Sequence, residues 1–333
     1  MKKTTLIFSL MMIAFLFAQQ VVAQTFKVKN QSIDLRSKIN EYGLKVRDQA
    51  PRGTCTIFAT TFLIEYFKSR ETNAKNLDFS EEYLNSVANL ATGNGYDGAD
   101  FDEAISGFEE FGIVNEKSAP YKIAFDSKYL MGNDAAMLDL LGLGKANRGY
   151  EGTVSVSANV PNGLPGLSDA QLVALVNELD KGNPVAIGHG GDASANTTTV
   201  KLANGFTAYD NFNINKLINP YVHTVPLVGY QIDSKIPGGG YFVFRNSGGE
   251  SWGDKGYGYM TFKYAKNFTY DTLIMKRAAL AMIQGRSNLE LIEKQFLLRK
   301  DILRQNTKRL KLVKAPFLST ENLRRMDEFT KNK

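Results

Sequence analysis

Apolar and polar positions change rhythm once along this 333-residue chain. In the first third the spacing is helical. Ile57, Phe58, Phe62, Leu63 and Phe67 recur at three- and four-residue steps, or small multiples of them, and predict a helix from Cys55 to about Ser69. Ser80-Glu81-Glu82 ahead of Tyr83, Leu84 and Val87 reads as the capped start of a second helix. Phe101, Ile105 and Phe108 form one stripe of a third over residues 100–111, ended by Gly112, and the glycine-rich 92–98 is a loop. Beyond residue 150 the period shortens towards two. Strands are predicted over 150–160 (Val154, Val156 and Ala158 on one side), 185–187, 220–230, 241–245 and 257–262, with a hairpin-like turn at 237–240. One helix interrupts them, capped by Ser168, carried by Leu172, Leu175, Val176 and Leu179, and stopped by Gly182 and Pro184. Residues 24–46 read as an extended surface arm with a short strand at Ile33 and Leu35. The pattern is that of an α+β protein with a helical lobe (about 48–125) and a largely antiparallel β lobe (about 150–270).

The two ends add a destination and an appendage. Lys2 and Lys3, an apolar run over 6–17 and Val21-Val22-Ala23 before Gln24 form the pattern of a signal peptide over residues 1–23. That run is short for a membrane span, and no later run reaches the roughly 18 apolar residues a span needs. An exported protein, periplasmic or extracellular and without a transmembrane segment, is expected. Residues 24–285 remain as one body large enough for a real core. Residues 286–333 hold thirteen Lys/Arg against six Asp/Glu, a net of +7, so the formal +6 of the whole chain leaves the rest near −1. The body therefore has no basic surface by count, and nucleic acid is not an expected partner. Within the tail, Leu289, Ile292, Phe296, Leu303 and Leu310 share a helical face opposite Arg299, Lys300, Arg304, Lys308, Arg309 and Lys311, until Pro316. A basic helical extension docked on the body is favoured over contact with an anionic membrane surface or an inhibitory segment covering the active site.

Export gives the single cysteine, Cys55, its meaning. With no second cysteine it makes no internal disulfide, which leaves an intermolecular bridge, a small buried apolar residue or a reactive group. It follows the breakers Pro51 and Gly53 and opens a helix, where unpaired N–H groups and the dipole favour a thiolate. A thiol nucleophile needs a base and something to orient that base. Of the two histidines, His223 opens a strand and Asn246 follows another, so Asn246 is placed to fix the ring of His223. Gln49, six residues before Cys55, is placed to stabilise an oxyanion together with the Cys55 N–H. His189, in Gly188-His189-Gly190, is expected at the surface or in a loop, and residues 190–219 as a solvated loop rather than a lid over the substrate. One cysteine and two histidines make a structural zinc site unexpected, and no cofactor is implied.

Gln49, Cys55, His223 in His-x-Val-x-x-Val-Gly-Tyr, and Asn246-Ser247 with Trp252-Gly253 and Gly256-Tyr257 stand in one order. In these motifs the chain resembles the papain-like cysteine proteases over about residues 34–262. The resemblance implies a helical lobe and a β lobe with the active site in the cleft between them, and peptide or protein substrates. It also implies peptide-bond hydrolysis through a Cys55 thioester, with His223 as acid and base, Asn246 orienting it and Gln49 in the oxyanion hole. Passage of the thioester to an amine (a transpeptidase or transglutaminase-like enzyme) and a non-catalytic peptide-binding module are the alternatives. Gly98, Ala99 and Asp100 fall where the family binds the substrate backbone, with Asp100 either near the pocket for the residue two before the cut or simply a helix cap. Departures are equally specific. The places of the family's cysteine bridge hold Arg52 and Tyr96. The usual aromatic after the nucleophile is Thr56. Gly248 replaces a tryptophan, which implies an Asn246–His223 bond less shielded from water. The 168 residues from Cys55 to His223 exceed the roughly 130–150 of the family pattern and imply extra residues within 126–148 or 190–219.

Overall fold

Helix α2 (Cys55–Thr72) is the first long element and lies inside the protein rather than on it. Ile57, Phe62, Leu63 and Ile64 are buried, and so are Thr60, Thr61 and Glu65 on its other faces. The apolar stripe read from the sequence is thus one face of a helix covered all round. The computed structural model describes residues 31–93, 95–125, 134–156, 166–194, 197–213, 216 and 218–277. The leader at 1–23 and the basic tail at 286–333 lie outside them, as do the first seven residues of the arm.

Two further helices pack beside α2. Helix α3 (Glu81–Thr92) begins at Ser80, whose hydroxyl accepts from the Tyr83 N–H, and ends at Gly93. Helix α4 (Phe101–Phe111) begins at Asp100 in a capping box with Glu103 and ends at Gly112. The rest of the arm is not extended throughout. After strand β1 (Ser32–Asp34), residues Arg36–Tyr42 form helix α1, which buries Ile39 and Tyr42. The polar residues between those two concealed the helix in the sequence. Helix α5 (Asp134–Gly144) occupies part of 126–148, where extra length was expected.

The β side is one sheet. Its strands are β2 (Tyr150–Val156), β3 (Val185–Asp192), β4 (Thr197–Lys201), β5 (Thr207–Phe212), β6 (Pro220–Ile232), β7 (Gly240–Arg245), β8 (Tyr257–Thr261) and β9 (Thr269–Arg277). They run β2-β9-β3-β6-β7-β8-β5-β4, with β1 on β6, and all described pairings are antiparallel except a single parallel contact between β5 and β8. Helix α6 (Asp169–Asp180), opened by a Ser168–Gln171 capping box, and helix α7 (Phe262–Phe268) cover the sheet. Strand β6 sits at the centre, pairing with β1, β3 and β7, while α2 packs across it. Gly229 makes the β1 pairing possible, because a Cβ there would come 2.5 Å from the Ile33 carbonyl oxygen.

Two sequence readings change here. Residues 190–219 are not a solvated loop, since β4 and β5 extend the sheet and bury Ala208, Tyr209 and Phe212. His189 is not at the surface either: it lies in β3 directly opposite His223 and is buried. Its glycine neighbours suggested a loop, but Gly188 leaves room for the ring of Tyr270, as Gly191 does for that of Tyr221. Among the described residues, no helix is long and apolar enough to cross a membrane, and no group of three His, Cys, Asp or Glu side chains is arranged to hold a metal ion.

Candidate active site

Cys55 is the first residue of α2, so its backbone N–H belongs to the first turn and has no intrahelical acceptor. The packing of α2 on β6 brings its thiol against His223. Burial alone pushes the thiol pKa up. Hydrogen bonding and charge from the His223 ring, with smaller help from the N–H and hydroxyl of Thr224, outweigh it and leave Cys55 below an ordinary thiol. His223 shows the mirror image. Burial pushes its pKa down, the Cys55 thiolate and then Asn246 push it up, and the net shift is upward. The two shifts favour a thiolate–imidazolium pair.

Asn246 holds the ring. The His223 Nε2–H donates to Asn246 Oδ1 at 2.7 Å, so Nδ1 is the nitrogen left for the thiol. Asn246 is itself fixed at the end of β7, its N–H donating to Gly256 O at 2.8 Å. Replacement of the family's tryptophan by Gly248 does not expose this bond. His223 and Asn246 are 1% and 4% exposed, and Trp252, itself buried, stands where a Cβ on Gly248 would be 3.5 Å from its side chain. The indole four residues further along covers this side of Asn246.

Gln49 sits on the loop before α2 and is fully buried. Its Oε1 accepts from Ser247 Oγ and its Nε2 donates to Arg52 O at 2.7 Å, which turns the amide NH2 towards the Cys55 end of the loop. The Gln49 N–H also donates to Ser247 O at 2.9 Å, so the residue after Asn246 grips Gln49 by both backbone and side chain. The loop itself turns sharply, with Ala50 in the left-handed region at φ 52° and its N–H on Asp48 Oδ1 at 2.8 Å. Tyr121 braces it, donating to Gln49 O at 2.9 Å and meeting Thr54 Oγ1 at 2.7 Å.

Arg52, where the family carries half of a disulfide, forms the other tie. Its guanidinium reaches Glu82 at 2.5 Å and Asp97 at 2.8 Å, donates to Lys122 O at 2.7 Å, and stacks 4.5 Å from the Tyr121 ring centroid. Asp97 neighbours Tyr96, the place of the missing partner cysteine, so an ion pair spans the gap that the bridge would span. It draws the loop of Gly98 against the Cys55 loop so closely that a Cβ on Gly98 would lie 2.3 Å from Gly53 O. Gly98 has φ 100° and its N–H donates to Asn85 Oδ1 at 3.0 Å. Ala99 is partly buried beside it. Asp100 caps α4 by accepting from the Glu103 N–H at 2.8 Å, as its capping alternative requires. It also acts on Asp271: burial first, and then the charges of Asp100 and Asp102, push that carboxyl up to about 7 against a hydrogen bond from the Gly188 N–H that draws it down.

Several contributors escaped the sequence reading. Thr56 and Thr224 follow Cys55 and His223 and touch each other, Ser247 orients Gln49, and Tyr270 lies close enough to feel the charge of Cys55. Ser247 had a signal, its place beside Asn246. The others are ordinary residues whose partners are more than 160 positions away.

The model of the family described as "Papain family cysteine protease" matches residues 29–278. Cysteine proteinase 3 of Entamoeba histolytica is 29% identical over 238 residues, covering 71% of this chain and 64% of that protein. Peptidase 1 of Dermatophagoides farinae is 25% identical over 246 residues, again 71% of this chain and 64% of the relative. The chain thus spans somewhat less than two thirds of the length of these relatives. Among solved structures, xylellain, a cysteine protease from Xylella fastidiosa, superposes with a TM-score of 0.56 at 20% identity, covering 78% of this chain and 89% of that one, and shares the fold. The α+β architecture and the match across most of the chain lead to one assignment: the protein belongs to the papain family of cysteine proteases.

Proposed function

We propose that this chain is a cysteine peptidase acting through a covalent thioester on Cys55. The observation that carries the reading is the aligned set of depressed thiol, raised imidazole and the 2.7 Å bond from His223 Nε2 to Asn246. The Cys55 sulfur attacks the scissile carbonyl carbon, forming a C–S bond and an oxyanion. The Cys55 N–H and the second hydrogen of Gln49 Nε2 face that oxyanion. His223 gives the proton on Nδ1 to the leaving amine as the C–N bond breaks. Water then attacks the thioester with His223 as base, releasing the acid and restoring the pair. Asn246 keeps the ring in plane with the sulfur. The backbone of Gly98 and Ala99 pairs with an extended peptide or protein substrate, and Asp100 contributes to the wall of the adjoining pocket.

Residues 24–285 form the catalytic domain in this reading, exported by the leader at 1–23 to the periplasm or the extracellular space. Residues 286–333 dock on it as a basic helical extension. The test is covalent labelling with a peptidyl electrophile followed by profiling on a peptide library. One label per chain on Cys55, with cleavage products from the same sample, is the expected result. Absence of labelling in folded protein refutes the reading, and a product carrying an added amine in place of water redirects it to transpeptidation.

A further inference from the structure

The residues next to the nucleophile and the base meet each other. Thr56, the second residue of α2, and Thr224, the residue after His223 in β6, are both buried, and their hydroxyl oxygens lie 3.0 Å apart. They come from the two elements that supply Cys55 and His223, and the offset is the same, so the Thr56–Thr224 bond runs beside the Cys55–His223 contact. A hydroxyl carries one hydrogen and two acceptor lone pairs. Thr224 lies beside the Cys55 thiol, whose pKa its N–H and hydroxyl both help to lower. With the Thr224 hydrogen on the sulfur, its oxygen accepts, and Thr56 at 3.0 Å is one donor beside it, with the Tyr270 hydroxyl also in reach.

We propose that Thr56 and Thr224 form a hydroxyl relay, Thr56 O–H to Thr224 O–H to Cys55 Sγ, that stabilises the thiolate and fixes α2 on β6 at the reacting pair. Thr224 touches the reacting atom, and Thr56 is a positioning residue acting through it. No proton is transferred along the relay; each O–H bond stays intact and only its dipole is used. In a buried site such chained bonds polarise one another, and a hydrogen bond to a charged group is the strong kind. The inference deepens the proposed function and rests on Cys55 being the reactive thiol.

Valine matches threonine in shape and lacks the hydroxyl, so Thr56→Val and Thr224→Val test the relay with little change in volume. The measurement is the rate of Cys55 alkylation by iodoacetamide against pH, with kcat and KM on a peptide substrate and a melting curve for each variant. Thr224→Val moves the acid limb of alkylation up by about one pH unit, close to a tenfold loss of rate on the acid side. Thr56→Val moves it the same way by about half as much, and Thr56→Ser and Thr224→Ser recover most of each shift. The loss falls on kcat rather than KM. Valine variants that fold and alkylate with the wild-type profile overturn the relay, and a lowered melting temperature with an unmoved profile assigns the pair to packing and overturns it equally. If a valine variant does not fold, the serine and alanine forms at the same position decide by the same profile. A wild-type protein with no acid-shifted limb at all fails the thiolate reading itself rather than this inference.

Discussion

Replacing Arg52 by methionine removes one end of the ion pair that stands in for a covalent tie. The cost follows from what remains. Asp97 is 18% exposed at its side chain and keeps the amide of Asn85, so water and that bond hold its charge. Glu82 is 1% exposed, and beyond Arg52 its carboxylate keeps the Lys122 N–H at 3.1 Å. A buried charge stripped of its partner typically costs about 3–5 kcal/mol, against a total stability of roughly 5–15. For a body of this size that is a fall of about 6–20 °C in melting temperature. The guanidinium stack on Tyr121 adds a smaller loss. The second half of the test replaces Glu82 by glutamine in the same chain. With the orphaned charge gone, Arg52→Met/Glu82→Gln should recover much of the melting temperature that Arg52→Met lost, whereas Arg52→Lys, a point charge in place of a fork, retains only part of it. Differential scanning calorimetry of the single and double variants supplies the numbers. An Arg52→Met that melts within 2 °C of wild type, or a double variant that melts below the single, would refute the account of Arg52 as a buried tie.

The remaining predictions concern chemistry and pH. Cys55→Ala abolishes turnover of a fluorogenic peptide while the melting curve stays close to wild type, since a half-buried thiol contributes little volume; turnover at near the native rate in that variant would end the nucleophile assignment. Gln49→Ala lowers kcat by about 10²–10³ with a smaller change in KM, and Ser247→Ala, which frees Gln49 Oε1, gives a milder loss in the same direction. The pH–rate profile has an acid limb below the usual thiol range, where Cys55 takes up a proton, and an alkaline limb above the usual imidazole range, where His223 gives one up; limbs in the order of the free groups, with imidazole titrating below thiol, exclude the ion pair. Asp271, held up to about 7 in the folded protein against about 4 unfolded, binds more protons folded than unfolded between those values, so its stabilisation is present below pH 4 and lost by pH 7. Asp271→Asn therefore raises the melting temperature at pH 8 and leaves it nearly unchanged at pH 4, and an equal rise at both values contradicts the buried carboxyl.

Local signals carried most of the architecture. Ser80, Asp100 and Ser168 cap helices that start within one residue of expectation, because capping is decided inside four consecutive residues. Strands β6 and β7 were readable from β-branched and aromatic runs closed by Pro237 and the glycines after it. The site quartet was readable because its order and neighbouring words are themselves sequence. What escaped depends on remote partners. His189 looks like a loop residue until β3 is laid against β6, and Gly188, which helped to suggest a loop, is where the Tyr270 ring packs. The hairpin of β4 and β5 reads as polar because β4 is partly exposed and because Asp210 of β5, though buried, is held by Thr261 at the end of β8 and Lys263 just beyond it. Arg52 marks the place of a missing cysteine, but nothing near it in sequence names its partners, since Glu82 and Asp97 arrive from the start of α3 and the loop beyond it, and helix α1 is hidden by the polar residues between Ile39 and Tyr42.

The position of β6 at the heart of the sheet sets a timetable for the newborn chain. Cys55 leaves the ribosome 168 residues ahead of His223, a delay of about 8–34 s at ordinary synthesis rates of about 5–20 residues per second. Strand β1, which emerges even earlier, waits through the same interval for β6 to pair with. During that time Cys55 has no His223 imidazole to face. Asn246 comes later still, so the ring has no anchor until β7 has closed on β6. The imidazole's share of the thiolate character therefore depends on residues made long after the cysteine itself, and a half-made chain lacks it by topology alone.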